Sequence, residues 1–170
     1  MKLIFLIFKY FFPIFFFASS CKNENKENDL IGSNFNFQVD SLIPYNNFEY
    51  QNSTGSLKIL VFLKMDCPSC VEEIYKLNTL FQQKPFSTAQ LYIVLSGQPS
   101  EYTYYHLIEL NKFNFKILYD QNDYLIKSNS IGFIAFDKYL LLSPSDKILV
   151  IGSPFISQKK KRTYIRQLNR

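Results

Sequence analysis

Histidine occurs once and cysteine three times in this chain of 170 residues. A structural zinc site needs four nitrogen or sulfur ligands. Once Cys21 is set apart, as argued below, only Cys67, Cys70 and the distant His106 remain, so ligand count excludes such a site. Internal repeats and a second domain are also lacking, and no segment reads as a nucleotide-binding loop. Disorder is excluded for most of the length, because 47% of the residues are hydrophobic and 18% aromatic, enough apolar surface for one ordinary core. Some of that Phe content lies in the first seventeen residues and does not belong to the core.

Acidic residues are absent from positions 1–20, where Lys2 and Lys9 supply the only charges. Removing those two lysines from the formal +5 leaves seventeen basic against fourteen acidic residues, a net of +3. The positive charge gathers late, at Lys159, Lys160, Lys161 and Arg162. A nucleic-acid surface needs basic residues interleaved with stacking aromatics across a domain, and one terminal run with Tyr164 beside it reads as a solvated helix face. Nucleic acid is therefore not an expected partner. Contact of this run with anionic lipid headgroups is a secondary possibility.

Residues 1–20 combine a basic start, an apolar stretch from Leu3 to Ala18 and a small-residue end, the pattern of a secretory signal peptide. Lys9 and Pro13 interrupt the stretch, which makes it marginal as a permanent spanning helix. The end of the leader, Phe17-Ala18-Ser19-Ser20-Cys21, resembles the lipobox of bacterial lipoproteins, with Ala18 where Leu is commoner. That resemblance implies cleavage before Cys21 and acylation of Cys21, and several acyl chains anchor where one is marginal. The alternative is ordinary cleavage that leaves Cys21 as an exported thiol, a reactive liability. Lys22 to Asp29 is polar, charged and aperiodic, as a tether would be. The domains expected are thus a leader over 1–20, a lipidated cysteine and tether over 21–34, and a folded domain over 35–170. Lys22 is not an acid, which by resemblance to bacterial sorting rules points to the outer membrane.

Alternation in Phe35-Asn36-Phe37-Gln38-Val39 predicts a short strand. The segment from Tyr45 to Gly55 reads as loop. Leu57 to Leu63 is a nearly continuous apolar run, as a strand buried on both sides requires. After the two cysteines, Cys70, Ile74, Leu77 and Phe81 recur at helical spacing, with a stop at Pro85. Further elements are a strand at Leu91–Leu95, a helix over Glu101–Leu110, a strand at Phe115–Tyr119 and a short helix over Asn122–Ser128. Tyr139–Leu142 and Lys147–Ile151 flank Ser143-Pro144-Ser145-Asp146 as a hairpin. A closing helix over 158–169 would turn Tyr164, Ile165 and Leu168 inward. Strands alternating with helices make an α/β domain with a central mixed sheet and helices on both faces.

Cys67-Pro68-Ser69-Cys70 stands at the step from the most buried strand to a helix. The first cysteine then meets the unpaired N–H groups and dipole of the helix start, which favour thiolate over thiol. Cys67 becomes the nucleophile that forms a mixed disulfide, and Cys70, about one turn on, the residue that resolves it. Pro68 suits the first turn because its missing N–H is not needed there. A purely structural Cys67–Cys70 disulfide would close too small a ring to stabilise much. Peroxidases of related fold carry Pro-x-x-x-Thr-x-x-Cys here, whereas this chain has Leu60 and Lys64 at those two places.

From about Phe35 to Arg170 the sequence resembles the TlpA-type, redoxin-like branch of the thioredoxin superfamily. Val61-Phe62-Leu63 leading into Cys67-Pro68-Ser69-Cys70, and Glu73 three positions after Cys70, carry the resemblance. It implies a thioredoxin-like fold with an inserted helix–strand unit ending at Tyr119, and a tuning role for Glu73. The family's cis-proline would align with Asp137 or Lys138, but no proline occurs between Pro99 and Pro144. Phe136 and Asp137 are then the candidate cleft-lining residues. Val61 replaces the buried acid of thioredoxin itself. Asp66 stands where many members have Trp, and a carboxylate there would disfavour the Cys67 thiolate, which points to a reductant.

The resemblance implies an exported thiol–disulfide oxidoreductase of the bacterial envelope, facing the periplasm. It would act on protein thiols and disulfides, draw electrons from an external donor and hold no cofactor. A redox-inactive binding or assembly module of the same fold is the alternative that the missing proline favours.

Overall fold

The structure is a computed structural model that describes residues 29–49, 55–98, 113–129 and 139–170. Its centre is one sheet of six strands: β1 (Ile43–Pro44), β2 (Lys58–Lys64), β3 (Gln90–Ser96), β4 (Lys116–Asp120), β5 (Tyr139–Leu142) and β6 (Ile148–Ile151). The spatial order is β1-β4-β3-β2-β5-β6. The pairs β2–β3 and β3–β4 are parallel, and β2–β5, β5–β6 and β1–β4 are antiparallel. The mixed sheet expected from the element order is present.

Strands β2 and β3 lie in the middle of this order, and that position explains their composition. Both sides of a central strand are covered, so both alternating sets must be apolar. Ile59, Val61 and Leu63 face one core cluster together with Leu91, Ile93 and Leu95. Leu60 and Phe62 face the other, together with Tyr92 and Val94. Helices α1 (Pro68–Phe81) and α3 (Gln158–Leu168) cover the first face through Cys70, Ile74, Leu77, Tyr164 and Leu168. The second face is covered by Phe35, Leu42 and Leu125, the last on the short helix α2 (Tyr124–Ser128). Ser157 caps α3, its hydroxyl accepting from the Lys160 N–H at 3.1 Å.

One expectation needs correction. Phe35–Val39 is not a strand: its N-terminal part is irregular and Val39–Ser41 forms a 3-10 turn. The reason is tertiary. The Asn36 N–H donates to the Asn129 side chain at 2.6 Å and its carbonyl accepts from the same side chain, so an amide takes the place of a strand neighbour. The apolar face nonetheless turns inward, since Phe35 is buried and Phe37 and Val39 pack against the same cluster. Helix α1 ends at Phe81, the last of the helically spaced apolar residues, ahead of the stop at Pro85. The segment Ile43–Pro44, to which the sequence pattern assigns no element, is the edge strand β1, paired with Tyr119 and Leu118.

Packing also reaches back before Phe35. Gly32 donates to the Ile148 carbonyl at 2.7 Å, and Asn34 bridges to Lys147. The predicted helix over Glu101–Leu110 and the leader with Cys21 lie outside the described residues. Among the described residues no helix is long and apolar enough to cross a membrane.

Candidate functional site

The approach to the cysteines is fixed by the sheet. Strand β2 ends at Lys64, and the Met65 N–H continues the ladder by donating to the Ser96 carbonyl of β3 at 2.8 Å. Met65 is buried while Asp66 is exposed. Cys67 follows as the N-cap of α1, with φ −111° and ψ 104°. Pro68 at the first helical position imposes this, because a residue before proline is pushed out of the helical region into extended backbone. The Cys70 N–H closes the first turn on the Cys67 carbonyl at 3.0 Å.

The two sulfurs therefore occupy different environments. Cys67 is partly exposed at the mouth of the helix, and Cys70 is 2% exposed within the core cluster under the sheet. Both are thiols in the structure. The Ser69 hydroxyl lies 3.2 Å from the Cys67 sulfur, where it can donate to a thiolate. An accessible nucleophile and a buried second thiol one turn on make the arrangement that an exchange reaction needs. The helix start adds its dipole at the first of them.

Glu73 lies one turn beyond Cys70 on the same side of α1 and is half-buried. Its carboxylate accepts a hydrogen bond from the Tyr139 hydroxyl at 2.6 Å. Tyr139 opens β5, is fully buried and pairs with Val61 on β2. Burial, with the hydrogen bond to Glu73 and its charge as the next causes, pushes the phenol well above its ordinary range. Tyr139 thus remains an O–H donor at every physiological pH. Sequence reasoning places Tyr139 only as a strand residue and misses this contact. No local signal could have found it, because the partners lie 66 positions apart.

Of the sequence-predicted residues, Cys67, Pro68, Cys70 and Glu73 are gathered on the first turns of α1, with Asp66 just ahead of them in the loop. Phe136 and Asp137, the cleft-lining candidates, lie outside the described residues, as does Cys21. Asp120, at the end of β4, is buried but serves to hold the start of α2: its carboxylate accepts from the N–H groups of Tyr124 and Leu125 at 2.7 and 2.9 Å. A cavity of about 280 Å³ bounded by Ser56, Phe81, Thr88 and Gln90 sits at the start of β3. That is the end of the parallel pair opposite the cysteines.

No protein-family model matches this sequence, and no curated protein matches it significantly. Solved structures do. The N-terminal domain of PilB from N. meningitidis, in its reduced form, superposes with a TM-score of 0.55 at 15% identity, over 78% of this chain and 93% of that one. The thioredoxin domain of a thiol-disulfide oxidoreductase from Bacteroides vulgatus gives 0.54 at 17% identity, over 82% and 98%. The exposed lipoprotein thioredoxin Etrx1 of Streptococcus pneumoniae gives 0.53 at 13%, over 74% and 96%. The strand order, the helix that starts at Cys67 and these likenesses together show that the chain has the thioredoxin fold.

Proposed function

We propose that this chain is a thiol–disulfide oxidoreductase of the bacterial envelope, anchored by an acylated Cys21 and acting on protein disulfides as a reductant. The observation that carries the reading is the disposition of the two cysteines: Cys67 accessible at the N-cap of α1, Cys70 buried one turn behind it. In the reducing direction the Cys67 thiolate attacks one sulfur of a substrate disulfide. The S–S bond breaks, the substrate's other sulfur leaves as a thiol, and Cys67 is joined to the substrate. Glu73 then takes the proton of Cys70, whose thiolate attacks the Cys67 sulfur and expels the second substrate thiol. Two electrons pass from the dithiol to the substrate, leaving a Cys67–Cys70 disulfide that an external donor must reduce.

The TlpA-type resemblance supports this assignment, and Asp66 beside Cys67 supports the reducing direction. The solved relatives named as an oxidoreductase domain and as an exposed lipoprotein thioredoxin fit an envelope protein of this kind. The leader and lipobox-like sequence support attachment to the membrane, with Lys22 favouring the outer one.

Two measurements test the parts separately. Reduction of a model protein disulfide is expected from wild type and absent from Cys67→Ser; equal rates would leave only a redox-inactive module. Mass spectrometry of the mature amino terminus is expected to find an acylated Cys21, and an unmodified terminus elsewhere would remove the anchor.

A further inference from the structure

Cys70 is buried against Ile74 and Leu77, so the proton it must lose to resolve a mixed disulfide has little route to bulk water. Glu73 is the carboxylate one turn along the same helix side. A helical side chain leans back over the turn that precedes it, which brings Glu73 toward Cys70. A long, flexible carboxylate at that position needs something to hold it. The Tyr139 hydroxyl, 2.6 Å from Oε1, comes from a different element altogether.

Tyr139 is itself held from several directions. Its carbonyl accepts from the Gly152 N–H at 2.9 Å. The Phe155 ring stands edge-on to its ring at 6.2 Å between centroids. Among the described residues, the titratable groups around the phenol are Glu73 and Cys70 on α1 and Tyr164 on α3. The Tyr164 hydroxyl donates to the Gly152 carbonyl at 3.0 Å. Strands β2 and β6 contribute Val61 and Val150 to this cluster, which do not titrate.

We propose that Tyr139 is a positioning residue for the redox couple, its hydroxyl fixing the Glu73 carboxylate as proton acceptor for Cys70. The inference rests on the role given to Glu73 above. The phenol holds one carboxylate oxygen in place, which leaves the other to accept the proton. The raised titration of the phenol ensures that it donates throughout.

An aromatic disulfide that releases a coloured thiolate separates the steps. Attack by Cys67 releases the first equivalent, and attack by Cys70 on the mixed disulfide releases the second. With the reduced full chain between pH 5 and 9, Tyr139→Phe is expected to slow the second phase about tenfold at neutral pH, given the strength of a hydrogen bond to a charged group. The first phase should stay within about twofold. Glu73→Gln should slow the second phase at least as much, and adding Tyr139→Phe to it should change nothing further. A second phase unmoved by Tyr139→Phe but slowed by Glu73→Gln overturns the positioning role alone. So does a Tyr139→Phe effect that persists undiminished beside Glu73→Gln. An unaltered second phase in Glu73→Gln overturns the Glu73 assignment and this inference with it, while Cys67 chemistry still stands on the first phase. Should Tyr139→Phe fail to fold, Phe155→Leu keeps the phenol and removes the ring that stands edge-on against it. Its second phase should slow by roughly twofold with the first phase unchanged, and an unaltered second phase overturns the proposal.

Discussion

Replacing Cys70 by serine is expected to convert this chain into a trap for its substrates. Cys67 remains at the helix start and still attacks, so the first S–S exchange goes forward. The resolving thiol is gone, and a serine hydroxyl cannot act as the second sulfur nucleophile. The mixed disulfide therefore accumulates. Its decay should slow by about a hundredfold or more, by analogy with the advantage of a well-placed intramolecular group over solution thiols. Non-reducing electrophoresis with mass spectrometry should show one substrate per chain, linked through Cys67 and released by an added thiol. Cys67→Ser should capture nothing. Capture through Cys70 in that variant would mean that the buried thiol is the reactive one, contrary to its 2% exposure.

The second large effect concerns stability. Leu77 is fully buried in the middle of α1, in the cluster it shares with Ile74, Leu95 and Phe115. Leu77→Ala removes buried apolar volume that close-packed neighbours refill only in part, so it should cost about 2–5 kcal/mol. Urea unfolding should show the midpoint falling with an unchanged slope. The same helix carries Cys67, Cys70 and Glu73, so the folded variant below its midpoint should keep its exchange activity. A loss under about 1 kcal/mol would mean that α1 is not packed as described.

How much of the molecule is readable from sequence follows the range over which each feature is determined. Strands β2, β3, β5 and β6 and helices α1 and α3 are legible within a residue or a few, because run length and periodicity are local properties that central burial enforces. Strand β1 is not, since two residues including Pro44 carry no pattern. Proline is tolerated there because β1 is an edge strand. Phe35–Val39 has a strand's alternation, but among the described residues Asn36 pairs with the Asn129 side chain in place of a strand neighbour, which only tertiary structure reveals. The cysteines are legible because their chemistry needs only neighbours on one helix turn. The Tyr139–Glu73 pair is not, because it joins the start of β5 to α1 across the sheet's packed face. Glu73 can be suspected as a tuning residue from its place after Cys70, whereas its partner has no mark in sequence.

The reductant mechanism is tested most directly by a stoichiometry. Mature chain, fully reduced and freed of reductant, is mixed with an excess of a protein disulfide, and new substrate thiols are counted against chain. Two substrate thiols are expected for each chain that acquires a Cys67–Cys70 disulfide, and none with Cys67→Ser. Wild type and Cys67→Ser releasing the same amount, or no disulfide appearing between Cys67 and Cys70, would contradict the mechanism.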